Sequence, residues 1–317
     1  MHKIVNTQPK NILNIEFWPT DICNFTCDYC FPGAVTGNYR YHENLDQVLQ
    51  GFSNIFSFYN QQFAKEKFVL HVAGGGEPTL WPHIIEFCKG IKNLATVDIQ
   101  LTSNGSRTEK YWQRIAPFLD SVALSCHHKE VDIVHLSEIA DYLYSKGVDV
   151  TVQVLMDPNY WEKCIKYIDI LQQSKYSWFI IAKQVTGYGS YTKEQLEFIR
   201  PIYKRLDTSD KIIKKIEQYN LIKSVEIIND EVFLSKDNIF VLENRNNFYA
   251  WNCNIGFERI VIDSAGNIKG ACGMQILDGL NLFLDTLKND LQNIKTIECK
   301  LQKCNCVLDT HVTKWKI

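Results

Sequence analysis

Nowhere in its 317 residues does the chain hold an apolar run long enough to cross a bilayer as a helix. The longest such runs, Phe68–Ala73 and Trp178–Ala182 among them, fall far short of the roughly 20 residues a spanning helix needs, so no membrane association is expected. Tracts of Lys and Arg are missing as well, and the formal net charge is -2. Bulk electrostatic attraction to nucleic acid is therefore not expected. The first residues, Met1-His-Lys-Ile-Val-Asn, lack the apolar segment of a signal peptide, which points to the cytoplasm. Internal repeats and low-complexity segments are absent too. What remains is a chain with 45% hydrophobic and 22% charged residues, the balance of a protein that buries a large core, as one wrapped α/β domain or a domain with an appendage.

Cysteine is the residue in excess. Eleven are many for a reducing compartment, where clustered thiols more often mean metal than disulfides. Cys23, Cys27 and Cys30 sit together near the start, and Cys299, Cys304 and Cys306 near the end. Cys253 and Cys272 form a looser pair. The scattered Cys88, Cys126 and Cys164 read as small buried apolar residues.

The first 185 residues alternate short β-branched or aromatic runs with longer amphipathic ones. Strands are expected at Ile12–Trp18, Phe68–Ala73, Val97–Thr102, Ser121–Cys126, Val148–Met156 and Trp178–Val185. Helices are expected at Asn44–Tyr59, Ile84–Asn93, Lys110–Phe118, His135–Lys146 and Trp161–Gln173. Several strands are nearly continuous apolar runs, as in parallel sheets covered on both faces. Six strand–helix units in a row imply right-handed crossovers and a parallel sheet, whose chemistry collects at the strands' C-terminal ends. Beyond Val185 the pattern changes. Lys193–Tyr219 reads as one or two helices, Val225–Leu242 as strand-like around a turn at Asn229-Asp230, and Leu280–Ile294 as a helix. Ile260–Ile262 and Ile268–Cys272 flank a Gly/Asn turn and read as a hairpin.

Immediately after the first of the six strands comes Cys23-Asn-Phe-Thr-Cys27-Asp-Tyr-Cys30. Three thiolates in one short loop can hold three irons of a cubane and leave the fourth iron without a protein ligand, whereas a four-cysteine electron carrier is closed. A zinc site would need a fourth Cys or His nearby, and none lies within the loop. After the second strand stands Gly75-Gly76-Glu77-Pro78-Thr79-Leu80, and after the third Thr102-Ser103-Asn104-Gly105. Together, in this order, the three motifs resemble those of the radical S-adenosylmethionine (SAM) superfamily: its CxxxCxxC loop, its GGE motif and its (S/T)NG turn.

The resemblance covers roughly residues 11–185. It implies an α/β chain with a partial (βα)6 TIM-like barrel, followed by a small α+β auxiliary-cluster domain. It further implies a [4Fe-4S] cluster on Cys23, Cys27 and Cys30 that cleaves SAM reductively to a radical able to attack an unactivated carbon, fed by a flavodoxin or ferredoxin-type reductant. Gly75, Gly76 and Glu77 are implied to receive the SAM amino group, with Asn104 in the neighbouring turn. Tyr29 packs near the adenine, and Ser125 and Gln153 face the ribose and carboxylate; each of these three has the alternative of a purely local role.

The C-terminal cysteines resemble the twitch domain, the short relative of the SPASM extension, which holds one auxiliary cluster. Cys253 and Cys272 with two of Cys299, Cys304 and Cys306 are the implied ligands; zinc binding or plain core thiols are the alternatives. The expected division is 1–185 for the core, 186–250 for connecting helices and strands, and 251–317 for the auxiliary unit. At the mouth of strand four, His127 and His128 are candidates for a general base, or else parts of a solvated loop. Gln184, Tyr188 and Arg40 are weaker candidates for substrate contact, and Cys126 for a hydrogen-atom donor. The short segment before Cys23 leaves no room for a peptide-recognition domain. A small polar metabolite, sugar-like or related, is therefore the expected substrate, for dehydrogenation or epimerisation. The alternative is maturation of a peptide or protein side chain by crosslinking, thioether formation or epimerisation; a non-catalytic iron–sulfur carrier stands third.

Overall fold

The computed structural model describes residues 2–30, 42, 44–185, 190–199, 222–236, 239–271, 274–275, 279–304 and 306–316. The chain opens with β1 (His2–Asn6) and β2 (Ile12–Phe17), followed by α1 (Leu45–Phe63), β3 (Lys67–Val72), α2 (Ile84–Leu94) and β4 (Val97–Ser103). Then come α3 (Glu109–Ile115), β5 (Ser121–Cys126), α4 (Ile133–Ser145), β6 (Asp149–Met156), α5 (Trp161–Leu171), β7 (Phe179–Gln184) and α6 (Lys193–Ile199). Strands β2 to β7 lie side by side in chain order, every neighbour parallel. This is the partial (βα)6 barrel of an α/β fold.

Why these segments become strands and helices is visible in the burial. Along β3, Phe68, Leu70 and Val72 are buried while Lys67, Val69 and His71 are half-buried, and β4, β5 and β6 alternate the same way. The buried set of each strand faces the helices; α1, for instance, turns Val48, Phe52, Ile55 and Tyr59 into the shared core. The period of two in the strands and the helical spacing in α1 therefore meet on one layer. Local signals set the helix starts. Asn44 caps α1 by accepting from the Gln47 amide at 3.1 Å, and Asp132 caps α4 by accepting from Val134 and His135, each at 3.1 Å.

The remaining elements are β8 (Ile222–Ile228), β9 (Glu231–Lys236), α7 (Ile239–Leu242), β10 (Asn252–Cys253), β11 (Arg259–Ile262), β12 (Ile268–Ala271), β13 (Met274–Gln275), α8 (Leu287–Leu291), β14 (Ile297–Glu298), α9 (Val307–Thr310) and β15 (Lys314–Lys316). The expected hairpin forms as β11–β12, but β11 also pairs in parallel with β2, extending the large sheet. The second sheet has the order β14-β10-β15-β1-β8-β9 and so takes in the first strand of the chain. The large sheet thus joins β11–β13 to β2–β7, and the smaller one joins β1 to β8–β10, β14 and β15.

Two expectations are corrected here. Leu280–Ile294 is not one helix: only Leu287–Leu291 is helical. The Asn281 side chain accepts from the Phe283 amide at 3.0 Å and donates to the Ala265 carbonyl at 3.0 Å, which competes with helical bonding at its start. Val225–Leu242 is a hairpin, β8–β9, turning on Asn229 and Asp230 with φ of 47° and 70°, but its last four residues coil into α7. Of Lys193–Tyr219, residues 200–219 lie outside the described residues. Cys88, Cys126 and Cys164 are fully buried, as expected, and Cys126 belongs to the buried set of β5.

Candidate active site

The first cysteine loop leaves β2 and is held on two sides. Asn104 Nδ2, from the turn after β4, donates to Asn24 Oδ1 at 2.9 Å, and Asn24 Nδ2 donates to Ser106 Oγ at 2.9 Å. Opposite, Thr26 Oγ1 donates to Glu130 Oε1 at 2.8 Å, and Lys129 pairs with Asp28. Inside the loop the Cys30 amide donates to the Cys27 carbonyl at 3.0 Å, and the Phe25 amide donates to Cys23 Sγ at 3.4 Å. The three thiols feel one another. Burial, and then the Cys30 and Cys23 sulfurs, push the Cys27 thiol up to about 12 against a hydrogen bond from Tyr29. Burial likewise raises Cys23, with Glu77 and Cys30 adding to it. Three crowded thiolates need a cationic centre, and an iron–sulfur cluster is such a centre. Among the described residues no group of three or more His, Cys, Asp or Glu is gathered tightly enough for a single metal ion; ligands of a cubane bind different irons and stand wider apart.

The glycine motif is built against this loop. The Gly76 amide donates to the Thr20 carbonyl at 2.8 Å and the Glu77 amide to the Ile22 carbonyl at 2.7 Å. A Cβ on Gly76 would stand 2.0 Å from the Ile22 carbonyl oxygen, and one on Gly75, whose φ is +59°, 2.5 Å from that of Thr20. Only glycine permits so close an approach. Glu77 itself is buried at 3% exposure. Its Oε1 accepts from the Thr79 amide at 3.1 Å, Thr79 Oγ1 at 2.7 Å and Ser103 Oγ at 2.7 Å, and its Oε2 accepts from the Asn104 amide at 2.7 Å. Burial raises its carboxyl pKa, while these four donors pull it back. The carboxylate thus ties the glycine motif to the (S/T)NG turn and keeps one acceptor position on Oε2 for a ligand.

Because every partner is a donor, Glu77→Gln sets an NH2 group against a backbone N–H whichever way the amide turns. The variant is expected to lose about 1–3 kcal/mol of stability, read from its urea unfolding midpoint. An unchanged midpoint would show that the carboxylate is not the tie described.

The helix-free face of the sheet is polar. Glu16 lies beside His71 in register, and Ser125 beside Gln153. Gln153 Oε1 accepts from Lys183 Nζ at 2.9 Å, and His71 Nε2 is 2.8 Å from Thr102 Oγ1 while its buried Nδ1 has no partner. Glu16 Oε1 accepts from Trp18 Nε1 at 2.6 Å, its Oε2 is paired with Arg259, and Arg259 Nε donates to Asp309 Oδ1 at 2.7 Å. Burial alone would raise Glu16, but Arg259, His71 and Trp18 hold it below the usual carboxylate range. Burial pushes His71 down to about 4, Glu16 opposing, so its ring is neutral at pH 7.

The two histidine candidates part ways. His127 Nδ1 stands 3.0 Å from the Tyr29 hydroxyl and 3.3 Å from Cys27 Sγ, and its ring stacks on Tyr29 at 5.9 Å. It therefore adjoins the cysteine loop, and burial holds it down at about 4. His128 is only 1% exposed, stacks on Tyr160 at 4.3 Å, faces Asp157 at 3.7 Å and lies 5.9 Å from the Tyr29 ring. Tyr188 and Arg40 lie outside the described residues.

Among the C-terminal cysteines, Cys253, Cys299 and Cys304 are buried and Cys306 is half-buried. Cys304 is raised by burial, with Asp309, Cys306 and Cys253 adding and Lys314 opposing; Cys253 is raised by burial, with Cys299 among the added causes. Cys253 is thus in electrostatic reach of Cys299 and Cys304, and Cys304 of Cys306, while Cys272 lies outside the described residues. Arg259 Nη2 stands 3.9 Å from Cys306 Sγ. Sequence reasoning misses Glu16, His71, Lys183, Arg259 and Asp309. For the strand residues the signal is a charged or ring-nitrogen residue in an otherwise apolar strand, as in Phe179-Ile-Ile-Ala-Lys-Gln184, while Asp309, on α9, has no such signal.

Comparison with known proteins agrees with this geometry. Residues 19–128 match the profile of the Radical SAM superfamily. An S-adenosylmethionine-dependent nucleotide dehydratase of a Thermoplasmatales archaeon is 25% identical over 154 residues, covering 44% of this chain and 51% of that protein. A GTP 3′,8-cyclase of Nostoc sp. is 34% identical over 86 residues, covering 27% of this chain and 25% of that protein. The chain spans about a quarter to a half of the length of such curated relatives. In fold it is similar to the solved structure of native anSMEcpe with bound AdoMet and Kp18Cys peptide, with a TM-score of 0.56 at 15% identity over 90% of this chain and 81% of that one. The chain carries a radical SAM domain at residues 19–128, and that family implies SAM and a [4Fe-4S] cluster as cofactors. No helix among the described residues is long and apolar enough to cross a membrane.

Proposed function

We propose that the protein uses a [4Fe-4S] cluster on Cys23, Cys27 and Cys30 to cleave SAM and abstract a hydrogen atom from a small polar metabolite. The observation that carries this reading is the joining of three motifs by hydrogen bonds at the C-terminal edge of the parallel sheet, opening onto a polar rather than apolar inner face. When bound, the cluster and SAM supply a carbon-centred radical strong enough for an unactivated C–H bond.

The chain's own residues do the rest. Gly75 and Gly76 bring backbone close enough to hold the SAM amino group, with the open acceptor of Glu77 beside it. Tyr29 and His127 wall the loop at Cys27, and Ser125 and Gln153 offer polar contacts on the inner face. Neutral His127 donates or accepts a hydrogen bond without carrying charge. Relatives named for reactions on nucleotides support a small polar substrate over a peptide. A second [4Fe-4S] cluster, on four of Cys253, Cys272, Cys299, Cys304 and Cys306, is part of this reading. It is supported by the gathering of the described four. A flavodoxin or ferredoxin-type reductant in the cytoplasm would supply the electron.

Anaerobically reconstituted protein is expected to hold about eight irons per chain and, with dithionite and SAM, to release 5′-deoxyadenosine. Deuterated polar metabolites, tried in turn, are expected to pass label into that product. Iron-loaded protein that leaves SAM intact overturns the proposal.

A further inference from the structure

Cations enclosed by this fold have their protons placed. Arg259 meets Glu16 and Asp309. Lys314 donates to the carbonyls of Asp309 at 2.6 Å and Thr310 at 2.9 Å. Lys65 donates to those of Lys10 at 2.5 Å and Ile12 at 2.9 Å. Lys183 differs. Among the described residues its ammonium has one hydrogen-bond partner, the neutral amide oxygen of Gln153 at 2.9 Å, and no carboxylate within ion-pair distance. It stays accessible to solvent on the inner face of β7, yet surrounding protein atoms strip enough water to push its pKa down, with Cys306 and Glu16 pulling it back. Glu16 acts on it only from a distance, because both of its oxygens are engaged by Trp18 and Arg259.

The position of this ammonium is as informative as the lack of a carboxylate partner among the described residues. Its charge is felt by His71 on β3 and by His127 beside the first cysteine loop, and it feels Cys306 of the C-terminal group. It therefore stands on the inner face within electrostatic reach of His127, which adjoins the first cysteine loop, and of Cys306 in the C-terminal group. Gln153 fixes the direction of Nζ and leaves further N–H groups for charge-assisted bonds. A solvent-accessible ammonium oriented by one neutral partner keeps N–H groups available to an incoming anion.

We infer that Lys183, oriented by Gln153, anchors an anionic group of the substrate, a phosphate or a carboxylate. This rests on the reading of the inner face as the substrate site and narrows it to anionic metabolites.

The test uses the reconstituted holoenzyme with SAM bound, titrated calorimetrically with pyrophosphate or with malonate. Wild type is expected to bind one of the two, which tells phosphate from carboxylate. Lys183→Gln is expected to bind it about tenfold more weakly or worse, and Lys183→Arg to keep it, with SAM affinity alike in all three. Equal probe affinity in wild type and Lys183→Gln overturns the assignment. So does a loss of SAM affinity in its place, which would make Lys183 a contact of the SAM carboxylate. A second measurement needs no variant: the bound probe is expected to shield Lys183 from reductive methylation, read by mass spectrometry, and unshielded labelling overturns the assignment. Binding of the probe does not require SAM cleavage. A wild type that binds the anion but leaves SAM intact thus refutes the proposed reaction while leaving the anchor standing.

Discussion

Cys27→Ala is expected to abolish 5′-deoxyadenosine release, a loss of at least about a thousandfold, on the scale of removing a principal catalytic group. Cys27 is the middle thiol of the first loop. Its sulfur is in electrostatic reach of both Cys23 and Cys30 and lies 3.3 Å from His127 Nδ1. With it gone, two thiols remain where three hold three irons, and no other described cysteine enters that loop to replace it. Iron analysis of the same variant separates the causes. Loss of about four irons per chain together with loss of product places the effect at this cluster. Full product release from Cys27→Ala would remove the mechanism altogether.

The largest effect on stability is expected from Arg259→Met. Arg259, Glu16 and Asp309 are exposed by only 3%, 8% and 3%, so removing the guanidinium leaves two carboxylates buried without their cation. Breaking such an arrangement from one side costs about 3–5 kcal/mol, read as a fall in the urea unfolding free energy. The triple variant Arg259→Met, Glu16→Gln, Asp309→Asn removes the stranded charges too and is expected to recover a large part of the loss. The amide oxygen introduced by Glu16→Gln can still accept from Trp18. A triple variant no more stable than the single one would mean that lost packing around Arg259, not uncompensated charge, sets the cost.

How much of this was legible beforehand follows from the range of each interaction. Strands β2 to β7 were readable because alternation and flanking turns are local, and Ser121–Cys126 matches its expected span residue for residue. The glycine motif was readable because close backbone approach leaves a residue-type signature. The closed network on Glu77 was not, since two of its donors, Ser103 and Asn104, come from the next strand and reach it only once the sheet is parallel. His127 and His128, adjacent in sequence, both lie against the Tyr29 ring, but His127 comes within hydrogen-bond distance of Tyr29 and Cys27 while His128 is buried against Tyr160. Arg259 and Asp309 could not be joined to Glu16 from the sequence, because nothing local announces that β11 would dock beside β2.

The pairing of β1 with β15, which sets His2 against Lys316 and Ile4 against Lys314, has a bearing on synthesis. During translation β1 has to wait, unpaired on this side, until residues 314–316 have emerged. The smaller sheet is thus completed after the larger one's strands have been made, and the long loop that β1 and β15 close makes it slow. The thiols of Cys253, Cys299 and Cys304 border that sheet. The setting of these thiols is accordingly completed only after β15 has been made, whereas the first cysteine loop emerges early.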